Sequence, residues 1–428
     1  MDKKKILAEV SELSGVLVMF NEPFQPRDGH GRCVESEAGV MDEVKAVCSA
    51  LEVLGVPYRS CGVSRLEDIS QILARNQESV VFNLVEGLYG RAEDANYVPA
   101  ICTAFGKTST GCDTDCLALS LDKYRTKAVL RSAGLAVPSG TLVPVGCIFS
   151  GEGLPDGKYI VKPCSTDASD GIDADSVFDL QDPRVQVAVN RIHERFGTPA
   201  LVEEFIGNRE FNVSVVESEG LVRVLPVAEI DFSAFESGKN RVVDYAAKWL
   251  KESFEYQNTP RIIPAPLGVE KEDEIKNIAL RSWEALRCHD YIRVDMRMDD
   301  GGKVYVIEVN ANPDISPDAG FAAALQAGGA RYEEFVEDVV VNAFGRLNLF
   351  AMAGRISGDH RRMGKINIRR TEERDRDQII SWIEGTNLFG PHEIMVAREI
   401  LDDVISKGPQ GHYQSFTAEM GRKARGWV

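Results

Sequence analysis

The stretch RVDMRMDDGGKVYVIEVNANPDIS, residues 293–316, constrains the fold more than any other part of the sequence. Two runs with alternating polar and apolar residues flank the motif DDGG, and this arrangement predicts a β-hairpin with a tight turn. Successive side chains of a strand point to opposite faces, so one face of the hairpin collects the polar groups. That face carries one guanidinium and three oxygen-bearing side chains, from Arg293, Asp295, Glu308 and Asn310.

The register of this hairpin decides which polar groups meet. We expect Met298 to pair with Lys303 across the turn. The pairs that follow are Arg293 with Glu308 and Asp295 with Val306. The other face then collects apolar side chains, from Val294, Met296, Met298, Tyr305, Ile307 and Val309.

The polar face has two interpretations. Carboxylate and amide oxygens suit Mg²⁺, and an arginine beside them can clamp a phosphate. The alternative is a solvated sheet face with a single Arg–Glu ion pair. The additional Asn310 and the Asn-Pro stop that follows it favour the binding site.

Length and charge exclude several classes of protein. At about 150 residues per domain, we expect roughly three domains from 428 residues. The net charge of −17 argues against a nucleic-acid partner. The sequence contains no apolar run of about 18 residues, which argues against a membrane partner. The nine cysteines are scattered and odd in number, which is typical of reduced thiols in a cytoplasmic protein.

Cys112 and Cys116, in GCDTDC, are the only cysteines that lie close together in the sequence. One interpretation is half of a metal site. The other is the start of a helix, to which Asp113 and Asp115 are suited. Because no second pair with zinc-like spacing follows, we favour the helix start.

The pattern along the chain predicts a mixture of α/β and α+β structure. Residues 1–120 alternate strand-like and helix-like runs, one of which stops at Gly55, and this predicts a parallel α/β layer. From Leu117 the run LALSLDKYRTKAVLRSAG predicts one helix. Alternating strands and amphipathic helices continue to about residue 350. The polar, basic residues 351–365 then predict a linker.

A bound triphosphate needs positive charge, and three lysines are candidates to supply it. Lys162 ends the strand YIVKP, before the small-residue loop CSTDASDGI, whose backbone N–H groups can approach phosphate. Lys123 and Lys248 are further candidates, although each alone is more often a surface lysine.

The stretch VEEFIGNREFNV adds acidic candidates. Glu203 is suited to accept a hydrogen bond from an amino group such as that of adenine, and Glu210 from ribose hydroxyls. The alternative is an acidic strand end. The sequence contains neither a Walker A motif nor GxGxxG, so a nucleotide site here depends on other elements.

The order of motifs along the chain points to a family. LDKYRTK, GLAVPSG, YIVKP, ASDGI, VEEFIGNREFNV, DYAAKWL, PAPL, RVDMRMDDGG and VIEVNANP together resemble the ATP-grasp superfamily, most closely its D-alanine–D-alanine ligase branch. The resemblance covers about residues 15–350. It implies a pre-ATP-grasp α/β domain at 1–120, a central ATP-grasp subdomain at 121–205, and a C-terminal subdomain with the metal site at 206–350.

The resemblance also implies cofactors and site residues. The cofactors are ATP and two Mg²⁺ ions, with Mn²⁺ as an alternative metal. The metal ligands are Asp295, Glu308 and Asn310, with Glu308 bridging the ions. The catalytic residues are Arg293, at the transferring phosphoryl group, and Lys248, on a loop that closes over the phosphates. The nucleotide contacts are Lys123, Lys162, Ser169, Glu203, Glu204, Phe205, Ile206, Glu210, Lys248, Met296 and Ile307.

The implied reaction is ADP-forming ligation of a carboxylate to an amine through an acyl phosphate. The partners are small amino acids or peptides, the location is the cytoplasm, and a homodimer is compatible with the resemblance. Two alternatives stay open. One is a fragment of a bifunctional ligase–acetyltransferase, and the other is a nucleotide-binding ATP-grasp module without catalysis.

The chain departs from the family where the first D-alanine binds. The ligases hold that substrate with a serine, a tyrosine and an N-terminal glutamate. Here Ala168 and Trp249 stand at the first two positions, and Glu37 is the candidate for the third.

The second substrate's site also departs from the family. Asp314 replaces a glycine, and Ala319, beside Asp318, replaces a serine. We therefore expect another amino acid or peptide, with a cationic group read by Asp314 or Asp318. The candidate substrate contacts are Glu37, Trp249, Arg293, Asp314 and Asp318.

Residues 366–428 resemble the opening of a GNAT acetyltransferase, up to its third strand. INIRRTEERDRDQIISWIEG predicts a strand followed by a helix, and YQSFTAEMGRKARGWV predicts a hairpin. The loop that binds the pyrophosphate of coenzyme A in that family has no counterpart here. We therefore expect a partial domain.

Overall fold

The computed structural model describes residues 3–22, 34–166, 169–357, 367–385, 390–408, 415–420 and 423–427. It divides into two compact units, Met1–Leu347 and Asn348–Val428. In the described residues, no helix is both long and apolar enough to cross a membrane.

The first unit begins with the predicted parallel α/β layer. Four parallel strands lie in the order β2-β1-β3-β4, and helices pack on both faces of this sheet. Gly55 adopts a left-handed φ of 68° directly after the second helix, as its predicted role as a stop requires. The elements are α1 Lys3–Glu12, β1 Val16–Asn21, α2 Val34–Leu54, β2 Tyr58–Val63, α3 Leu66–Arg75, β3 Val80–Leu84, α4 Val98–Ala104 and β4 Thr108–Ser109.

The next segment forms a small antiparallel sheet with the strand order β5-β8-β6-β7. One face of this sheet packs on α7 through apolar side chains. The elements are α5 Thr114–Leu121, α6 Lys123–Ser132, β5 Gly140–Val143, β6 Lys158–Pro163, β7 Val177–Asp179, α7 Arg184–Phe196 and β8 Ala200–Glu204.

The single helix predicted from Leu117 is wrong, because the structure breaks it at Asp122. This residue has an extended backbone, and its carboxylate accepts a 3.0 Å hydrogen bond from the backbone N–H of Arg125. A side chain that caps the next helix in this way competes with continuation of the preceding one. The break places Lys123 at the first position of α6.

A second antiparallel sheet has the order β12-β11-β9-β13-β14, with β10 paired to β9. The helix α12 packs its first turns against β1 and β3 through apolar side chains. The elements are β9 Arg209–Ser218, β10 Leu221–Val224, β11 Ala228–Ile230, α8 Tyr245–Trp249, α9 Phe254–Gln257, β12 Arg261–Ile262, α10 Val269–Leu286, β13 Tyr291–Met298, β14 Val304–Asn310, α11 Gly320–Ala327 and α12 Tyr332–Ser357.

The hairpin of β13 and β14 is confirmed, but its predicted register is wrong. The Asp299 side chain accepts a 2.8 Å hydrogen bond from the Lys303 N–H, so Met298 pairs with Val304. A β-bulge then leaves Ile307 without a partner in the register. The observed pairs are Asp295 with Glu308 and Arg293 with Asn310, so the predicted shared polar face is retained.

The described part of the second unit contains a three-stranded antiparallel sheet in the order β15-β16-β17, together with the helices α13 and α14. The predicted strand, helix and terminal hairpin are confirmed, whereas the resemblance to an acetyltransferase stays a prediction. α12 extends to Ser357, into the predicted linker, and residues 358–366 lie outside the described residues. The boundaries predicted at 120 and 205 stay predictions. The elements are β15 Asn367–Arg370, α13 Arg376–Gly385, α14 Pro391–Lys407, β16 Phe416–Met420 and β17 Lys423–Trp427.

A buried ion pair joins three segments of the first unit. Asp290, just before β13, is fully buried and receives two hydrogen bonds from Arg346 of α12, at 2.7 and 2.8 Å. It also accepts a 2.7 Å hydrogen bond from the Gly111 N–H. Arg346 in turn donates to the backbone carbonyl of Ser109 at 3.1 Å. The pair therefore couples α12 to β13 and to the loop that precedes α5.

We predict that Asp290→Asn lowers the free energy of unfolding by about 3 kcal/mol, because removing one partner leaves the other charge uncompensated. Asparagine tolerates the left-handed backbone at this position, where φ is 58°. Denaturant unfolding measures the change. The control is Glu334→Gln, which removes an exposed pair with Arg331 and leaves the midpoint nearly unchanged. Equal midpoints for the two variants would contradict the prediction.

Candidate active site

A cleft of about 990 Å³ is bordered by the two antiparallel sheets of the first unit. Its walls come from β6 and β8 on one side and from β9, β13 and β14 on the other. The loop around α8 and the segment after β14 complete the lining. The predicted site residues on these walls are Lys162, Ser169, Glu203, Glu204, Phe205, Ile206, Glu210, Lys248, Trp249, Arg293, Asp295, Ile307, Glu308, Asn310, Asp314 and Asp318.

The polar face of the hairpin forms one connected group. Arg293 binds both carboxylate oxygens of Asp295, at 2.8 and 2.9 Å. The amide of Asn310 donates to Asp295 at 3.0 Å, and the amide of Asn212 on β9 donates to the same carboxylate at 2.8 Å. The carboxylate of Glu308 lies in the cross-strand position beside them. The two acids and Asn310 thus present oxygen atoms to one end of the cleft.

Lys123 reaches this group from α6. Its ammonium lies 2.9 Å from Glu308 and also donates to the Thr166 carbonyl. Burial alone raises the pKa of Glu308, but the ammonium groups of Lys123, Lys162 and Lys248 outweigh burial and lower the pKa to about 2. Glu308 is therefore a carboxylate at neutral pH.

Glu203 lines the cleft and lies in a second charge cluster, and its predicted contact with adenine stays a prediction. Its two oxygens lie 2.8 Å from the ammonium of Lys127 and 2.6 Å from that of Lys162. Burial raises the pKa of Glu203, but the ammonium groups of Lys127 and Lys162 outweigh burial and bring the pKa below its usual value. The carboxylate is thus occupied in holding Lys162.

Sequence reasoning missed Lys127. It lies one helical turn after Lys123 on α6, at a spacing that places two side chains on the same helix face. Burial lowers its pKa to about 8, against the attraction of Glu203. The spacing of four residues between Lys123 and Lys127 could have identified Lys127 from the sequence.

Glu210 faces a buried arginine that was also missed. Arg297 lies 2.6 Å from the Glu210 carboxylate and donates to the carbonyls of Ile206, Gly207 and Arg241 at 2.7, 2.9 and 2.8 Å. Its guanidinium also stacks 4.5 Å from the centre of the Phe205 ring. Burial raises the pKa of Glu210, although Arg297 opposes the shift. The signal was the alternation that joins Arg293, Asp295 and Arg297 on one face.

Two loops bring Lys248 and Ser169 to the cleft. Asp244 caps α8 by accepting a 2.9 Å hydrogen bond from the Ala247 N–H, which fixes the short helix that carries Lys248. The Ser169 hydroxyl donates to the Val243 carbonyl at 3.0 Å and so joins its loop to this segment. Burial lowers the pKa of Lys248, and Arg293 adds to the shift. Among the described residues, none forms an ion pair with Lys248.

Three predicted contacts have different outcomes. Met296 is fully buried in the core behind β13 and does not reach the cleft, because it lies on the apolar face. Ile307 does line the cleft, since the bulge turns it out of the predicted apolar face. Glu37 lies in α2, but its side chain falls outside the described part of the chain, as does Ala168.

The far end of the cleft carries charges of both signs. Arg261 donates to the Asp318 carbonyl at 3.2 Å, and its guanidinium lies beside the start of α11. Ser316 donates its N–H to Asp314 at 2.8 Å and its hydroxyl to the Asp318 carboxylate at 3.1 Å. Burial lowers the pKa of Arg261, and Arg293 adds to that shift. Sequence reasoning did not identify Arg261.

Glu43 of α2 lies behind Asp314. Its carboxylate accepts a 3.3 Å hydrogen bond from the Ile315 N–H and is nearly fully buried. Burial raises the pKa of Glu43 well above its usual value, and the neighbouring acids Glu86 and Asp314 raise it further. Glu43 was not predicted, because nothing in the local sequence indicates that α2 meets the segment after β14.

The two antiparallel sheets around one cleft define an ATP-grasp fold, and solved structures share it. A D-alanine–D-alanine ligase from Bacillus anthracis, crystallised with ATP, has a TM-score of 0.61 and 15% identity, over 78% of this chain and 99% of that one. The VanG D-Ala:D-Ser ligase from Enterococcus faecalis has a TM-score of 0.57 and 21% identity, over 76% and 98% of the two chains. The predicted fold class is confirmed.

Sequence comparison identifies the family within this fold. Residues 155–341 match the family model for the D-ala D-ala ligase C-terminus. A D-alanine–D-alanine ligase from Thermotoga petrophila is 30% identical over 300 residues, which are 70% of this chain and 90% of the relative. The chain therefore belongs to the D-alanine–D-alanine ligase family, as the resemblance predicted.

We predict that Glu203→Gln lowers both stability and nucleotide affinity. The neutral amide leaves two buried ammonium groups without a counter-charge, so the free energy of unfolding falls by about 3 kcal/mol. Lys162 also loses the group that orients it, so the Kd for ATP rises by about tenfold.

Denaturant unfolding and calorimetric titration with ATP measure the two effects. The control is Glu194→Gln, a change on the adjoining helix α7 at a side chain that does not line the cleft. Unchanged ATP affinity in a stably folded Glu203→Gln protein would refute the positioning role.

Proposed function

We propose that this protein is an ATP-dependent carboxylate–amine ligase that forms a peptide-type bond through an acyl phosphate. The observation that carries the proposal is the arrangement of Arg293, Asp295 and Glu308 in one cleft with three lysines from separate elements. A cation cluster around paired carboxylates is suited to a metal-bound triphosphate. Membership of the D-alanine–D-alanine ligase family supports the same reaction class.

The donor set at the hairpin fits Mg²⁺. Glu308 is ionised, Asp295 is held by Arg293, and Asn310 contributes an amide oxygen, which together form a hard-oxygen set. These residues would hold the Mg²⁺ that accompanies a bound triphosphate, and Mn²⁺ accepts similar ligands. When bound, the ions neutralise charge on the phosphate oxygens.

The protein's own residues would then position the reaction. Lys123 and Lys162 hold the phosphates from one side and Lys248 from the other, while Arg293 faces the transferring group. A substrate carboxylate oxygen attacks the γ-phosphorus, and the bond from that phosphorus to ADP breaks. An amine nitrogen then attacks the acyl carbon, the carbon–oxygen bond to phosphate breaks, and the amine loses a proton. Enclosure of the cleft protects the acyl phosphate from water.

The second substrate is expected to differ from D-alanine. Glu43 is buried beside Asp314, and burial together with the neighbouring acids Glu86 and Asp314 raises the pKa of Glu43 well above its usual value. Asp314 lines the cleft, where an entering cationic group can bind its carboxylate. Arg261, beside the start of α11, is placed to receive a carboxylate. We infer an amino acid or peptide with a basic group as the amine donor.

We predict that Glu308→Gln abolishes ADP formation, lowering the rate at least about 100-fold, because the metal ligand loses its charge. ADP release with Mg²⁺-ATP and a turnover-competent substrate pair measures the rate, and thermal unfolding checks the fold. Glu270→Gln, an exposed change at the start of α10, is the matched control. Full activity in Glu308→Gln would overturn the metal assignment, and ATP binding by a wild-type protein that never turns over would favour the non-catalytic alternative.

We predict that a panel of L- and D-amino acids and dipeptides releases ADP with basic compounds and not with D-alanine alone. Asp314→Asn should raise the KM for the basic substrate by about tenfold or more, because one charge-assisted hydrogen bond is lost, and leave the KM for ATP unchanged. Mass spectrometry of the products identifies the new bond. Asp300→Asn, in the exposed hairpin turn, is the control. A D-alanyl-D-alanine product with no response to basic compounds would refute the substrate class.

A further inference from the structure

Three cysteines meet in the core behind β13. Cys112 precedes α5, Cys116 lies in the first turn of α5, and Cys288 follows the end of α10. Their sulfur atoms all lie within 4.8 Å of one another, and those of Cys116 and Cys288 are 3.7 Å apart. Cys112 and Cys116 alone predicted a helix start. The structure confirms that helix and adds Cys288, which is distant in sequence.

The geometry resembles a ligand set more than a disulfide. Metal–sulfur bonds of about 2.3 Å place the sulfurs of a tetrahedral or trigonal site about 3.8–4.0 Å apart. A disulfide requires about 2.05 Å, which is far below the observed separation. A contraction of less than about 1 Å would bring all three sulfurs to ligand spacing.

The surroundings are dry but not wholly apolar. Each thiol is at most 3% exposed, and Leu117, Leu286 and Ile292 belong to the same core cluster. The His289 N–H points at the Cys112 sulfur at 3.4 Å. Cys116 lies in the first turn of its helix, where the Asp113 carboxylate accepts a 2.9 Å hydrogen bond from the Cys116 N–H. The His289 N–H therefore remains as the backbone group that stabilises negative charge on a sulfur of the cluster.

We infer that Cys112, Cys116 and Cys288 form a binding site for a single thiophilic cation, with three thiolate ligands. Within the described part of the chain, no histidine, carboxylate or further cysteine joins the group. A three-sulfur set without a fourth protein ligand suits Cu⁺, and Zn²⁺ fits if a non-protein ligand completes its tetrahedron.

Such a site would act on structure and not on the reaction. Cys116 lies on the helix before the one that carries Lys123, and Cys288 lies just before the strand that carries Arg293. A bound ion would therefore pin the two segments that deliver these cations to the cleft. The expected effect is an increase in thermal stability on metal binding, because the folded state alone presents the three ligands together.

The test is anaerobic titration of the reduced, full-length protein with Cu⁺ alone and with Zn²⁺ alone, each against a competing chelator. We expect close to one equivalent bound per chain, ultraviolet thiolate–metal absorption and a higher Tm. Cys116→Ala and Cys288→Ala should abolish that equivalent. The controls are Cys102→Ala, a buried cysteine in a different core cluster, and Cys147→Ala, an exposed one, and both should retain it.

A second measurement keeps the test decisive if the cluster variants unfold. In wild-type protein under mild denaturant, bound metal should slow alkylation of Cys112, Cys116 and Cys288 but not of Cys102, which is equally buried. Failure to bind either ion, stoichiometric binding that survives both substitutions, or a Cys116–Cys288 disulfide in the isolated protein would overturn the inference. Because ADP release is measured separately, these outcomes are independent of the proposed ligase activity.

Discussion

Buried positive charge around Glu203 and Glu308 is the constraint on which the rest of the site depends. Cations cannot be crowded in a poorly solvated cleft unless carboxylates or a ligand compensate them. Glu203 compensates Lys127 and Lys162, while Glu308 compensates Lys123. In the described residues Lys248 forms no direct ion pair, and a triphosphate would supply one. The ion pairs among these protein groups allow the chain to fold. The positive charge that they leave, on Lys248, is the charge to which a nucleotide phosphate would bind.

The β-bulge in β14 decides which residues of the hairpin lie opposite each other. Without the bulge, the register set by the turn would place Val294 opposite Glu308 and Asp295 opposite Ile307. With the bulge, Asp295 lies opposite Glu308, where Arg293 holds Asp295 and Lys123 of α6 contacts Glu308. The oxygen atoms of both acids then face the cleft from neighbouring positions. A bulge that redirects side chains beside a site is a common device in antiparallel sheets.

The sequence was sufficient to predict features set by local periodicity. The polar face of the hairpin follows from period two, and Arg297 could have been found by extending that alternation one step. The register could not, because the hydrogen bond from Lys303 to Asp299 and the bulge are settled by the turn and the packed sheet. The break at Asp122 was readable as a helix cap but was hidden by a continuous helical pattern.

Other residues of these sites could not be predicted from the sequence, because segments distant in the chain bring them together only in the folded structure. Glu43, Arg261 and Cys288 have unremarkable local sequences, and each acquires meaning from a partner in another element. Glu203 was identified from its motif, but its ion pairs with Lys127 and Lys162 were not, because these lysines lie in other elements. A motif match predicts that a residue lies in a site, but only the structure shows which groups its side chain contacts.

At the end of the cleft that carries Asp314, the buried charge to be compensated is negative instead of positive. Glu43 is buried beside Asp314, and burial together with the neighbouring acids Glu86 and Asp314 raises the pKa of Glu43 well above its usual value. The methyl side chain of alanine offers these carboxyl groups no hydrogen bond. A basic side chain that reaches Asp314, which lines the cleft, would form a charge-assisted hydrogen bond there. Selection at this end would therefore come from the charge of Asp314, which favours a substrate that carries a complementary cation.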